Sequence, residues 1–478
     1  MFIVNAYFFS RGPLRVASLN QHQKSVLMAT SLSYVIVILD TSIVNVALPS
    51  IAGELGTGLS GLQWVVNAYT LAFASLLLSG GALGDRLGAT RLYLGGLSVF
   101  AGASVICGLA ETLPVLVAAR VCQGIGAALL VPSSLMLLNA AFGDARQRAG
   151  AIGVWAGCGG VAMAAGPLVG GLLIELWGWR SLFWINLPVI VLGIGLTLRI
   201  EVRRPVPALR QMDYAGQGAV ILALASSVWV LIEGSRLGWC SGWILGGMAI
   251  AALSWWRFVV IERRHRQPML PLTLFRSTLF SASALVSLVS ALVFYGAFFL
   301  LSLYFQRVRG WTPLQSGLAF LPLTMMVTLG SFISGRLVRA WGAGRVVYCS
   351  LLLYALGFVG LLALVESPPY WRIALSFPLL GLAAGIITPA ATSALMNDVV
   401  NEQAGIAAGV LNAARQSGSA FGVAIFGALM STSLSQAGGI QTAVYSALGL
   451  SLFTAIGWRL AINLSARPVA SVRNEQRE

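Results

Sequence analysis

Lysine is all but missing from this chain. Lys24 is the only one, and it stands outside any P-loop pattern, whose chemistry needs a lysine on the nucleotide phosphates. A nucleotide-driven motor of that kind is therefore excluded. Histidine is almost as scarce: His22 and His265 lie far apart in basic loops and offer no metal site. The five cysteines (Cys107, Cys122, Cys158, Cys240 and Cys349) form no C-x-x-C pair, and four of them sit in apolar runs, where a cysteine is a small hydrophobe. The chain has no G-x-S-x-G and no H-E-x-x-H. No nucleophile–base set and no metal set is visible, so an enzyme is not expected. Charge itself is short, at 9% of residues against about 25% in an average soluble domain.

What fills the chain instead is hydrophobic, 58% of its 478 residues. Apolar runs of span length recur from Val26 to Ile462. A helix needs roughly 20 mostly apolar residues to cross the hydrocarbon core. Only helices or closed barrels satisfy every backbone group in lipid. The runs are continuous rather than alternating, so they predict helices. The net charge of +15 does not point to nucleic acid, because the arginines sit at span ends and not in one basic stripe.

Fourteen spans are predicted, near 26–49, 62–83, 92–110, 113–138, 149–174, 181–199, 214–234, 242–261, 279–302, 313–335, 346–365, 371–395, 403–430 and 440–462. With the N-terminus inside, the outer loops hold only Arg180, Arg236, Arg307, Arg309 and Arg372, and nearly all other basic residues fall inside. That bias sets the topology, with both termini cytoplasmic in a multi-pass plasma (bacterial inner) membrane protein. The start is not a secretory signal. Its order is apolar then basic, Phe2 to Phe9 and then Arg11, the reverse of a signal peptide.

The sequence repeats itself. Gly81-Ala-Leu-Gly-Asp-Arg-Leu-Gly-Ala-Thr-Arg91 aligns with Gly335-Arg-Leu-Val-Arg-Ala-Trp-Gly-Ala-Gly-Arg345. Gly124 and Pro132 align with Gly381 and Pro389, and Gly153, Gly166 and Gly171 with Gly409, Gly422 and Gly427. The offset is nearly constant, about 255 residues, as in a duplicated bundle. The chain is read as a tail (1–24), a six-helix bundle (25–200), an inserted helical pair with cytoplasmic linkers (201–278), a second six-helix bundle (279–462) and a second tail (463–478). The linkers Arg203-Arg-Pro-Val-Pro207 and Glu262-Arg-Arg-His-Arg266 read as exposed turns.

Asp40 is the only acid well inside a span. An ionised carboxylate there costs about 2.5–3.5 kcal/mol on insertion scales. Burial disfavours its charged form, which brings protonation within reach and suits a proton carrier; a structural Asp paired with a neighbour is the alternative. Arg120 in span 4 lies at matching depth, each residue being roughly 11–14 Å from the outer surface at 1.5 Å per residue. Gln123 is one turn deeper on the same face. The pair could part when Asp40 takes a proton, or Arg120 could be statically bonded to carbonyls. Arg415 is the second intramembrane cation, sharing a helical face with Asn412 and Ser419. That stripe reads equally as substrate-facing or as interhelical hydrogen bonding. Small residues recur in span 5 as Gly153-x-x-x-Gly157 and Gly166-Pro167-Leu-Val-Gly170-Gly171, a spacing that lets helices approach closely. Tyr34, Asn45, Tyr69, Trp155 and Tyr295, with Asn412 and Arg415, are the candidates for a substrate cavity.

These segments resemble the major facilitator superfamily, and within it the fourteen-span drug:proton antiporter family of multidrug and quaternary-ammonium exporters. Leu39-Asp-Thr-Ser-Ile-Val-Asn-Val-Ala-Leu-Pro49 resembles that family's span 1 signature, and Gly81 to Arg91 the superfamily's loop motif. Arg120-Val-Cys-Gln-Gly-Ile-Gly-Ala-Ala128 and Ala165-Gly-Pro-Leu-Val-Gly-Gly171 resemble its span 4 and span 5 antiporter motifs, and Asp213-Tyr-Ala-Gly216 its inserted pair. The resemblance implies a major facilitator fold of two six-helix bundles. It implies proton coupling through Asp40 and Arg120, and a cytoplasmic latch built on Gly81, Asp85, Arg86, Gly88 and Arg91. Arg339 stands where a second Asp85 would be, which puts a symmetric latch in doubt.

The expected function is proton-coupled export of hydrophobic, often cationic, small molecules, driven by the proton-motive force without a cofactor. Asp40 is the one acid deep within a span, Glu175 and Glu233 sitting near outer ends, so monovalent cations and neutral lipophiles are expected as better cargo than dications. The expected partners are small-molecule substrates, protons and the lipid bilayer, with no nucleic acid. No residue pattern names a substrate or a periplasmic adaptor. A dedicated exporter of one metabolite would carry the same features. A non-transporting receptor or scaffold would have no need of Asp40 and Arg120.

Overall fold

The computed structural model describes residues 19–200, 213–265, 267–362, 369–396, 403–432 and 436–465. The linker Arg203–Pro207, most of both tails, and the acids Glu366, Asp398 and Glu402 lie outside the described residues. The secondary structure is helical throughout the described chain: α1 Gln21–Leu55, α2 Leu59–Leu87, α3 Ala89–Gly108, α4 Leu113–Ala141, α5 Ala145–Trp177, α6 Ser181–Trp184, α7 Asn186–Thr197, α8 Tyr214–Leu237, α9 Gly242–Arg264, α10 Thr278–Leu303, α11 Pro313–Ala319, α12 Leu321–Trp341, α13 Ala343–Leu361, α14 Tyr370–Ala374, α15 Ser376–Met396, α16 Ala404–Thr432 and α17 Gln436–Ser465. Asn20 caps α1 in a capping box with Gln23, so residues 21–24 are helical and not part of a tail.

Twelve of the described helical segments are long and apolar enough to cross a membrane. Two predicted spans are not among them. Residues 181–197 fold as the short pair α6 and α7. The 29-residue α16 is diluted by Asn412, Arg415, Gln416 and Ser417. Three predicted spans are interrupted, and each break lies about one turn before a proline. Pro188, Pro322 and Pro378 follow the ends of α6, α11 and α14. Proline has no N–H for the carbonyl four residues back, and its ring crowds that carbonyl.

The repeat is visible in the backbone. Gly88 ends α2 at φ 89° and Gly342 ends α12 at φ 79°. Each turns the chain directly into the next helix through a conformation that side chains with a Cβ resist.

Helices α1–α7 pack into one half and α10–α17 into the other. The second half has its own core, around Phe298, Phe320, Tyr354 and Phe377. In the first half one core gathers Tyr69, Tyr93, Phe100 and Phe142. A further core joins Ile43, Val44 and Leu48 of α1 to Phe299 and Leu303 of α10 and Val423 of α16, so the halves are sealed apolar against apolar at the predicted outer end. The insert α8–α9 stands outside both bundles, with α8 laid along α2 and α16. Large apolar side chains such as Trp243, Val191 and Phe453 are exposed on the rim, where lipid is their natural solvent.

Candidate functional site

Asp40 and Arg120 meet as their depths predict. Nη1 of Arg120 donates to Oδ2 of Asp40, and both residues are 1% exposed. Nε of Arg120 donates to the Val65 carbonyl at 3.1 Å, and Nη1 also reaches Oε1 of Gln123 at 2.8 Å. Gln123 in turn donates to Oγ of Ser104 at 2.8 Å, and Asn186 donates to the same hydroxyl at 3.3 Å. The guanidinium lies 4.4 Å from the centre of the Tyr69 ring, within cation–π range. Oδ1 of Asp40 is buried without a hydrogen-bond partner. One carboxylate oxygen thus holds the arginine while the other stands unpartnered. Val65, Ser104 and Asn186 were not singled out from sequence, although a Ser and an Asn inside apolar spans were a usable signal.

A cavity of about 540 Å³ lies between the halves. Its walls come from α1 (Tyr34, Ile38), α5 (Gly153, Gly157, Met163), α10 (Phe294, Tyr295), α12 (Thr328, Ser331, Phe332), α15 (Thr388, Pro389) and α16 (Arg415). Three of the seven residues expected in a substrate cavity therefore line it: Tyr34, Tyr295 and Arg415. Asn412 supports it from behind, its Oδ1 accepting from Nη2 of Arg415 at 2.8 Å. Trp155 is buried and stacks on Tyr34 with ring centres 3.7 Å apart. Tyr69 and Asn45 are elsewhere. The Tyr69 hydroxyl donates to the Val37 carbonyl and Nδ2 of Asn45 to the Thr41 carbonyl. The Tyr69 hydroxyl is spent in the α1–α2 packing, and Asn45 donates within α1 while its Oδ1 stays buried without a partner.

Asp40 does not line this cavity either. It is two residues past Ile38, about 200° round the helix, and faces α4. The expectation that Asp40 meets a cationic substrate directly is corrected by this geometry: its carboxylate is already engaged by Arg120.

Span 5 divides in two. A Cβ at Gly166 would collide with Oγ of Ser42, and one at Gly170 would lie 2.6 Å from Cγ1 of Ile43. At Gly171 it would lie 2.5 Å from the Pro313 carbonyl oxygen of the other half. A Cβ at Gly317 would in turn strike the Pro167 carbonyl. Gly171 and Gly317 thus close the outer seam between α5 and α11, while Gly166 and Gly170 seat α5 on α1 of its own half. Gly153 and Gly157 share neither role. Nothing lies within 4 Å of a Cβ at Gly153, and only Phe332 approaches Gly157. They border the cavity, so the packing function read for them from spacing is corrected.

Hydrogen bonds joining the halves run from mid-depth to the predicted outer end. Thr328 donates to the Gly160 carbonyl at 3.0 Å, Ser302 to Asn45 at 2.6 Å and Gln306 to Val46 at 2.9 Å. Nε2 of Gln63 bridges the carbonyls of Val423 and Ala424 at 3.0 and 2.9 Å. At the other end, open space surrounds Gly153 and Gly335. The cavity is sealed outside and open toward the predicted cytoplasmic face. There Asp85, Arg86 and Arg91 are exposed and make no ion pair among the described residues.

Two like halves of membrane-spanning helices around a cavity closed at one end are the architecture of a transporter. The chain belongs to the major facilitator superfamily, whose family model matches residues 30–423, and within it to the drug:proton antiporter family. It is 37% identical over 442 residues to a methylenomycin A resistance protein of Streptomyces coelicolor, covering 92% of each chain. It is 37% identical over 417 residues to the multidrug resistance protein Stp of Mycobacterium tuberculosis, covering 87% of this chain and 78% of that one. The fold matches a bacterial homologue of the human lysosomal transporter Spinster, solved inward-facing and unoccupied. The TM-score is 0.66 at 16% identity, over 93% of this chain and 98% of that one. The protein is a multi-pass membrane transporter and not an enzyme.

Proposed function

We propose that this transporter is a proton-coupled antiporter that exports hydrophobic small molecules by alternating access. One observation carries the reading: α1 holds the buried Asp40–Arg120 pair on one face and lines the cavity with Tyr34 and Ile38 on the other. Protonating Asp40 removes one charge of a desolvated pair and leaves Arg120 uncompensated. Such a loss costs about 3–5 kcal/mol in a buried site, enough to reset how α1 packs on α4. Any shift of α1 moves a cavity wall. The closed outer seam and open inner end support an inward-facing reading, and an Asp85 without an ion pair among the described residues suits a released latch.

The topology proposed is fourteen spans, counting α6–α7 as one and α16 as another, with both termini cytoplasmic in the plasma membrane. The cycle proposed is driven by the proton-motive force without a cofactor. One proton supplies about 2.3 kcal/mol per 100 mV and about 1.4 more per pH unit. Together these sustain a gradient of roughly several hundred-fold at 100 mV and one pH unit. The test is substrate-driven proton flux in proteoliposomes, using compounds that the gene protects an efflux-deficient host against. Protection without proton movement overturns the coupling. Relatives named for resistance to a single antibiotic favour a second reading, a dedicated exporter; protection against one compound alone in that panel selects it.

A further inference from the structure

We infer that the central cavity recognises a hydrophobic small molecule through an anionic group, a carboxylate or its equivalent, that pairs with Arg415. The inference deepens the exporter reading above and rests on it for the meaning of the cavity.

Arg415 sits 11 residues past the start of α16, roughly 16 Å along the helix at 1.5 Å per residue, too deep to reach water at the membrane surface along α16. Its side chain lines the cavity, half-buried. Its described hydrogen bond, to Asn412, uses one donor of a five-donor fork. None of the ion pairs among the described residues includes it. The contrast with Arg120 is direct, since Arg120 has a carboxylate, two further acceptors and an aromatic ring. No Asp or Glu appears anywhere on the described cavity wall. Among the described lining residues Arg415 is the one formal charge that a molecule inside would meet, and in a low-dielectric site it favours the opposite sign.

The rest of the wall suits an apolar body. Ile38, Met163, Phe294 and Phe332 present hydrocarbon. The hydroxyl protons of Thr328 and Ser331 already go to backbone carbonyls. The hydroxyls of Tyr34 and Tyr295 also line the wall, but the charged donors left for a ligand are those of the guanidinium, whose planar fork matches a carboxylate. The open end reinforces the sign. Arg146 and Arg148 begin α5 just before Gly153, and Arg336 and Arg339 follow Gly335 on α12. Asp144 at this end is engaged in capping α5, and Asp85 is the other described acid nearby. An excess of positive charge at a cleft mouth concentrates anions.

The experiment measures equilibrium binding to the purified full-length protein, without a proton gradient. The probes are ten hydrophobic carboxylic acids, 1-naphthylacetate among them, each paired with its primary amide and with an ammonium analogue on the same skeleton. Wild type is expected to bind at least one acid about tenfold or more tightly than its amide, with the ammonium analogue weakest, since a charge-assisted hydrogen bond is about twice as strong as a neutral one. Arg415→Gln should bring acid and amide to equal affinity, while Arg415→Lys keeps part of the preference. If no acid binds more tightly than its amide, or if Arg415→Gln keeps the preference, the inference falls. Acid-selective binding without any proton-coupled transport would instead overturn the exporter reading and leave the anion site standing.

Discussion

Ile38 and Asp40 point to opposite sides of α1: Ile38 lines the central cavity and Asp40 takes a hydrogen bond from Arg120 behind it. A single helix therefore separates the proposed proton site from the proposed cargo site. Coupling requires no contact between proton and substrate. It requires that α1 pack in two ways, each favoured by one protonation state of Asp40.

Asp40→Asn is expected to abolish substrate-driven proton flux, with a fall of at least about tenfold, because the pair can no longer change charge. It should also lower the thermal midpoint, since an uncompensated buried arginine costs about 3–5 kcal/mol. A pH-sensitive dye in proteoliposomes and a melting curve check both parts. Undiminished proton flux in the variant removes Asp40 from the coupling.

Gly317→Ala places a methyl group against the Pro167 carbonyl. The added Cβ suits α11 as a helix, so the effect is confined to the seam. The outer end should fail to close, and transport should be lost while the protein still inserts. Spin labels at Glu111 and Leu375, exposed on the outer ends of the two halves, should report a longer distance than in wild type. Wild-type distance with wild-type transport contradicts the seam.

Gln63→Leu removes the two hydrogen bonds that cross from α2 to Val423 and Ala424. At about 0.5–1.5 kcal/mol per bond, the outward-open population should rise roughly fivefold to a hundredfold. The same spin-label pair measures it. An unchanged distance distribution means that the apolar contacts of Phe299, Leu303 and Val423 alone hold the seam.

The insert should travel with the first half. Gln217 of α8 bonds Ser75 and Ser79 of α2 near one end, and Glu233 accepts from Trp64 at 3.0 Å near the other. Toward α16 the described contacts are apolar, through Leu224, Val228, Ile232, Ala420 and Ala424. A cysteine pair replacing Ser79 and Gln217 should therefore cross-link and leave transport intact, whereas a bridge from α8 to α16 should arrest it. Loss of transport with the first bridge shows that α8 slides on α2. Deletion of about 203–276 should leave both bundles folded, with an apolar strip of α2 and α16 uncovered.

The sequence by itself determined the membrane class, the two-half repeat, the inserted pair and the matching depths that made Arg120 the candidate partner of Asp40. Each rests on a local quantity: apolar run length, a constant offset, or the depth of a charge in its span, which helix geometry converts to ångströms. What it could not decide is which way a side chain faces among many nearly uniform apolar helices. Membrane-span patterns carry little amphipathic contrast, because lipid and protein interior are alike in polarity. Only the tertiary structure showed that Gly171 meets Pro313 while Gly153 borders open space, although both belong to one glycine-rich helix. Only it showed that Trp155 stands behind the cavity wall, that Tyr69 and Asn45 lie elsewhere and that Arg415 stands on the wall. Asp40 and Arg415 are both lone charges in the sequence. The packing of α1 against α4 supplies a partner for one, and the space between the halves leaves the other facing the cavity.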